Sequence, residues 1–223
     1  MNILLVFATQ AEADILRTIP GLAYVGDGVF YGKHKLNVLV TGVGGISTAW
    51  SMKQWLDNNI LPDLAINAGI AGSFSRNLGK GDVVMPVSDC FADLGIEIDG
   101  KFKTLDEAGF SDRNAHPFED GLILMKNKYL EKFSGVCPTV KSVTVNTATG
   151  SPASMERIIE KYNPDIETME GATFFYICSR EKIPFLALRA ISNYVEPGRR
   201  SSWEINLALR NLAGKLGEIL NIL

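Results

Sequence analysis

Apolar positions follow two rhythms that alternate along the chain. "NILLVFA" (2–8) is a short, nearly continuous apolar run of strand length, and "TQAEADILRTI" then spaces Ala11, Ile15 and Ile19 at helical intervals behind Thr9, a residue suited to cap a helix. "LAYVGDGVFYGKHKLNVLVTGVGG" predicts two strands around Tyr31-Gly32, the second ending in a glycine-rich turn at 42–45, and a helix from about Ser47 to Asn58. "PDLAINAGIAG" repeats the order of strand then glycine turn, and "GDVVMPVSDCFADLGI" is a longer strand that turns polar. Residues 95–120 mix Gly, Asp and single aromatics without a period and are expected to form an irregular loop, which at that length is usually functional or mobile. "KSVTVNTATG" restores a strand, and "SPASMERIIEKYN" predicts a helix with Ser151 as cap and Pro152 in its first turn. "DIETMEGATFFYICSREKI" reads as a short edge strand and a buried helix, Phe185 to Ile191 as a buried strand, and Ser201 to Leu220 as a closing helix. Strands alternating with helices give one α/β domain over 1–223, its sheet largely parallel or mixed and covered on both faces.

Composition narrows the partners. With 223 residues, 46% of them hydrophobic, the chain is long enough for a substantial core. A formal charge of -3 offers no clustered Lys/Arg for phosphate neutralisation, so neither nucleic acid nor an anionic membrane is an expected partner. The first strand reaches Gln10 and Glu12 too soon for a signal peptide or a membrane span, so a cytoplasmic protein is expected. Cys90, Cys137 and Cys178 are odd in number and far apart, so free thiols are expected. His34 and His116 stand singly, so no metal site is expected, and no cofactor.

The chemistry therefore rests on carboxylates and on the ends of strands. "TGVGG" (41–45), "NAGIAG" (67–72) and the turn after Asn146 bring bare backbone to three strand ends, where a ligand can approach closely. "TGVGGIS" does not satisfy G-x-G-x-x-G and follows a later strand, which weakens a nicotinamide-dependent oxidoreductase, and no G-x-S-x-G elbow supports a serine nucleophile. Glu12 is explained equally by catalysis and by a solvated acid in a helix's first turn. Glu170 differs: flanked by Met169, Gly171, Phe174 and Phe175, it would be costly to bury without a purpose. Asn193 ends the buried strand, and Arg189, four residues earlier on that strand, shares a face with it by alternation.

"GVGGISTA", "PDLAINAGIAG", "GDVV", "TMEGAT" and "IPFLALRAISN", in that order over nearly the whole chain, resemble the purine nucleoside phosphorylase and nucleosidase superfamily. Within it, "DLGIEIDGKFKTLDEAGF", "VNTATGS" and "RAISNYVEPGRRSSW" are similar to the futalosine hydrolase branch. The resemblance implies a three-layer αβα sandwich around a central mixed, partly barrel-like sheet, and a homo-oligomer of dimer size or larger. It implies cleavage of an N-glycosidic bond: Glu12 as general base for a water attacking C1′, Glu170 accepting from ribose hydroxyls, and Met169 packing on the sugar. Gly69, Ala71 and Gly72 match the loop lining the base pocket. Thr147 and Ala148 fall where adenine-specific relatives present an aromatic ring and a main-chain contact, and Thr147 supplies no ring.

Asn193 stands where the adenine-cleaving enzymes carry Asp. An amide donates two hydrogens and does not ionise, which suits the N7 and O6 acceptors of hypoxanthine. The implied substrate is futalosine, a hypoxanthine nucleoside with a carboxylated aromatic group beyond C5′, cleaved to hypoxanthine and dehypoxanthine futalosine in menaquinone biosynthesis. Phosphorylases of the superfamily hold phosphate with arginines, one of them close after the first strand, and here that turn carries Glu12, which favours water. Arg189 is expected to orient Glu170 or another carboxylate, with a phosphate role left open, and Arg199 and Arg200 are weak candidates for the substrate carboxylate. The alternatives are a methylthioadenosine/S-adenosylhomocysteine-type nucleosidase, a purine nucleoside phosphorylase, or a nucleoside-binding protein without catalysis.

Overall fold

The computed structural model describes residues 1–26, 28–196 and 202–223. In chain order its elements begin with β1 (Asn2–Phe7), α1 (Gln10–Ala13) and a 3₁₀ turn (Asp14–Thr18), followed by β2 (Leu22–Val25), β3 (Gly28–Tyr31), β4 (His34–Val40), α2 (Gly45–Asn58), β5 (Leu64–Ser73) and β6 (Val83–Asp89). Next come β7 (Gly95–Ile98), β8 (Lys101–Thr104), β9 (Phe118–Glu119), β10 (Leu122–Leu124), α3 (Lys128–Phe133) and β11 (Thr139–Thr144). The chain ends with α4 (Pro152–Tyr162), β12 (Ile166–Thr168), α5 (Gly171–Arg180), β13 (Phe185–Tyr194) and α6 (Ile205–Ile222).

Apolar runs without alternation become strands covered on both faces. Ile3 to Phe7 of β1 and Phe185 to Asn193 of β13 are buried throughout. β1 runs parallel to β4 and β5, and β5 runs parallel to β13. α6 packs on β13 and β5, while α2 and α5 pack on each other and α5 reaches β11. The result is helices around a mixed α/β sheet, the sandwich that the resemblance implies.

Part of the sheet closes on itself. β13 pairs parallel with β5 and antiparallel with β6, β6 runs beside β11, β11 beside β12, and β12 returns antiparallel to β5. One residue from each of these strands, Ala71, Val84, Val140, Ile166 and Ile191, meets in a shared apolar cluster that fills this barrel.

Several expectations need correction. β12 is no edge strand: it sits between β5 and β11 inside the closed part of the sheet. "NAGIAG" is no turn, because β5 continues through Ser73 and its glycines lie within the strand. Residues 22–31 form two antiparallel strands, β2 and β3, where a single one was expected. The helix after Thr9 shortens to one α turn and tightens into 3₁₀, so Ala11 faces solvent while Glu12, Ala13, Ile15 and Leu16 turn inward. Residues 95–104 form a hairpin, since Asp99 and Gly100 both take positive φ, 51° and 72°, as a tight hairpin turn requires. The hairpin is docked through Phe102, beneath the Arg157 guanidinium at 4.7 Å. The closing helix, expected from Ser201 to Leu220, begins at Ile205 and ends at Ile222; Ser201 itself lies outside the described residues.

Candidate active site

Glu12 is placed by a capping box. Thr9 caps α1, its hydroxyl accepting from the Glu12 amide at 3.2 Å, and Glu12 Oε2 accepts from the Thr9 amide and hydroxyl at 2.9 Å each. That local device aims the acid inward. Its Oε1 accepts the Ile70 N–H of β5 at 3.1 Å, and Glu12 is 7% exposed, so it is not a solvated first-turn residue. Gly69 makes room for it: a Cβ there would stand 2.8 Å from Oε1.

Glu170 enters from the other side, between β12 and α5. Its Oε1 accepts the Gly44 N–H at 2.8 Å. Gly44 takes φ 91°, and a Cβ on Gly45 would meet Thr173 Oγ1 at 2.7 Å, so the glycine turn after β4 reaches α5 only because it lacks side chains. Burial pushes the Glu170 carboxyl upward, the Gly44 N–H and the charge of Arg189 pull it back, and the charge of Glu12 adds to the rise. Met169 is half-buried beside it.

Arg189 is 2% exposed and donates to neutral oxygens. Nη1 donates to the Asn67 and Leu188 carbonyls at 2.9 and 3.0 Å, and Nη2 donates to Asn67 Oδ1. Burial lowers its pKa, and the charges of Glu170, Glu12 and Asp89 act against that. The guanidinium therefore balances three carboxylates through space, and among the described residues it forms no ion pair with any of them. Its influence on Glu170 is thus that of a nearby charge and not of a hydrogen bond. Behind it lies Asp89, fully buried, with Oδ1 accepting from Thr144 Oγ1 at 2.9 Å and from the Cys90 N–H at 2.8 Å. Burial raises the Asp89 carboxyl to about 7.

Alternation does not put Arg189 and Asn193 on one face. β13 is in step with β5 from Phe185 to Ile191, and then a bulge at Ser192 shifts the register so that Asn193 aligns with Gly72 while Arg189 aligns with Gly69. Parity is lost at the extra residue. Asn193 is 6% exposed; its Oδ1 accepts from Ser192 Oγ at 2.7 Å and its Nδ2 donates to the Tyr194 carbonyl at 3.0 Å, leaving one amide hydrogen free. A Cβ on Gly72 would lie 3.2 Å from Asn193 Nδ2. Ala71 between the glycines sends its methyl into the barrel cluster, while its carbonyl accepts from Ser192 Oγ at 3.2 Å. Thr147 and Ala148 are exposed on the turn after β11, which is tied down by Asn146 to Asp93 and by the Thr149 N–H to Glu167 Oε1 at 3.0 Å.

The site thus joins Glu12, Glu170, Arg189, Gly69, Gly72 and Asn193. From Ile70, which holds Glu12, to Gly72, which faces Asn193, is two residues of strand, roughly 7 Å. A buried acid and a buried amide thus stand a short way apart along one strand. Arg199 and Arg200 lie outside the described residues. The residue missed by the sequence reading is Glu167, which is buried two positions before Met169.

The model of the phosphorylase superfamily matches residues 7–223. The chain belongs to that superfamily. Among curated members, the futalosine hydrolase of Streptomyces coelicolor is 28% identical over 235 aligned positions, spanning 100% of this chain and 97% of its own. The 5′-methylthioadenosine/S-adenosylhomocysteine nucleosidase of Pseudoalteromonas translucida is also 28% identical, spanning 92% of this chain and 89% of its own. The native structure of futalosine hydrolase from Helicobacter pylori superposes with a TM-score of 0.79 at 16% identity, over 100% of this chain and 98% of that one, so the superfamily fold is shared throughout. Among the described residues, no helix is long and apolar enough to cross a membrane, and no group of three or more His, Cys, Asp or Glu side chains is placed to hold a metal ion.

Proposed function

We propose that the protein hydrolyses the N-glycosidic bond of futalosine, releasing hypoxanthine and dehypoxanthine futalosine. The observation that carries this is the pairing of Glu12 and Asn193 along β5, with an acid at Ile70 and an amide at Gly72. In this reading Glu12 removes a proton from the water that attacks C1′, Glu170 accepts from the ribose hydroxyls, and Met169 packs on the sugar. Gly69 and Gly72 leave room for sugar and base, Ala71 contributes main chain, and Thr147 and Ala148 form the rim. Arg189 keeps the acids tolerable in a buried site, and with its Nη atoms already donating to Asn67 and Leu188 it is poorly disposed to bind phosphate. Water is then the acceptor of the glycosyl group. Two curated futalosine hydrolases among the relatives, at 28% and 29% identity, favour this substrate over the methylthioadenosine class.

Self-association belongs to the same reading. Val43, Ile46 and Trp50, at 53%, 85% and 71% exposure, form an uncovered apolar strip along the start of α2 that a second copy would cover. The activity is tested by incubating the protein with futalosine, inosine and methylthioadenosine, with and without phosphate, and separating the free bases. Hypoxanthine from futalosine without phosphate is expected; a sugar 1-phosphate formed only with phosphate would overturn the hydrolase assignment.

A further inference from the structure

Glu167 lies in β12 directly across from Gly72 of β5. It is 7% exposed, its Oε1 accepts the Thr149 N–H at 3.0 Å, and its Oε2 has no hydrogen-bond partner among the described residues. An unpaired carboxylate oxygen inside a barrel rim is costly unless something else occupies it. The surroundings indicate what. A Cβ on Gly72 would stand 3.0 Å from Val195 Cγ2, 3.2 Å from Asn193 Nδ2 and 3.5 Å from Glu167 Cγ, so acid and amide meet the same piece of backbone with Val195 packed beside them. Burial raises the Glu167 carboxyl above the usual carboxylate range, and Thr149 acts against that rise.

We propose that Glu167 is a second base-reading residue, whose Oε2 accepts the N1–H of a 6-oxopurine while Asn193 donates its one free amide hydrogen to the base's O6 and N7 edge. The inference rests on the proposed function, since it presumes a purine in the groove. A 6-oxopurine presents a donor at N1 beside an acceptor at O6. An accepting acid next to a donating amide is the matching pair. A 6-aminopurine reverses both positions, placing a lone pair before the carboxylate and an amino donor before the amide, and buried groups built for one pattern reject the other strongly. Selectivity then comes from two strands, β12 and β13, on either side of the Gly72 gap. The same Thr149 bond that orients Glu167 fixes the turn carrying Thr147 and Ala148, so the rim and the base-reading acid are set together.

The test uses binding of free bases by calorimetry, which needs no turnover. Wild type is expected to bind hypoxanthine about 10- to 100-fold more tightly than 1-methylhypoxanthine, whose methyl replaces the N1 hydrogen. In Glu167→Val, which removes the acceptor and leaves room for the methyl, that ratio falls toward one. In Glu167→Gln the Thr149 N–H holds the amide oxygen, the NH₂ faces the base, and preference shifts toward adenine by about 10-fold or more. Thermal unfolding confirms that each variant is folded. An unchanged hypoxanthine to 1-methylhypoxanthine ratio in Glu167→Val, or an unchanged hypoxanthine to adenine ratio in Glu167→Gln, overturns the role of Glu167 and leaves the proposed function standing. Failure of the wild type to bind any of the three bases overturns both.

Discussion

Gly69→Ala isolates the placement of Glu12 from everything else in the site. Gly69 sits in extended β5, outside the left-handed region, so a methyl imposes no backbone strain. Its only severe contact is with Glu12 Oε1, which the new Cβ would approach to 2.8 Å; the next, Arg189 Nη1 at 3.9 Å, is ordinary. The carboxylate is the end of a flexible side chain and swings away easily, so folding is barely affected. Swinging away breaks its bond to the Ile70 N–H. A hydrogen bond to an ionised group contributes about 1.5–3 kcal/mol, and at about 1.4 kcal/mol per tenfold, misplacing the general base by this route lowers kcat/KM roughly 10- to 100-fold. The assay is hypoxanthine release from futalosine, with kcat and KM separated, beside thermal unfolding of the same preparations. The loss should sit in kcat, with the melting temperature almost unchanged. In a Glu12→Gln background the methyl should cost little more, because the group it displaces no longer acts. Full turnover by Gly69→Ala would refute the reasoning, and so would an equal fractional loss in both backgrounds.

Glu12→Gln alone should lower turnover by 10²-fold or more while hypoxanthine binding stays within a few fold, as measured by calorimetry. Asn193→Asp should move preference toward 6-aminopurine nucleosides, because a carboxyl oxygen in place of the amide NH₂ accepts from a 6-amino group; an unchanged base preference in competition assays contradicts this. Asp89 supplies a pH signature: its carboxyl is raised from 3.8 to about 7 in the folded state, so its contribution is fully favourable below 3.8 and is lost as pH rises through 7. Asp89→Asn should therefore flatten the fall in urea-derived stability between pH 5 and 7 by up to about 1.4 kcal/mol per pH unit, and an identical slope in both proteins removes Asp89 as its source. Burial raises Glu170 as well, so the acid limb of kcat/KM should lie above the ordinary carboxylate range, and Glu170→Gln should abolish that limb along with most activity.

Local signals were legible and remote pairing was not. Ser151-Pro152 marks the start of α4, with Ser151 Oγ accepting from the Ser154 N–H at 3.1 Å, because cap and first-turn chemistry act within four residues. The Asp99-Gly100 pair was equally local and equally readable as a hairpin turn, yet the surrounding polar residues hid the alternation of Ile96, Ile98 and Phe102. β12 was mistaken for an edge because three residues carry no periodicity, and only the closure through β13 places it in the interior. Nothing in a strand of that length tells which two strands will flank it.

The site shows the same division, and Asn193 and Glu167 show why. Asn193 is distinctive as a residue type, and the chemistry of an amide against a purine is readable without coordinates. Its neighbours are not, because the bulge at Ser192 removes the two-residue period on which any reading of faces along a strand depends. With that period intact Arg189 would share a side with Asn193; with it broken, Arg189 aligns with Gly69 near Glu12 while Asn193 turns to Gly72 and Glu167. The irregularity thus separates the guanidinium of Arg189 from the amide of Asn193 within four residues of one strand. Glu167 carried the signal that singled out Glu170, a carboxylate amid residues destined for the interior, at Ile166-Glu167-Thr168, all buried. Glu167 and Glu170 stand three residues apart because β12 ends and α5 begins between them, which sends one acid toward Gly72 and the other toward Gly44.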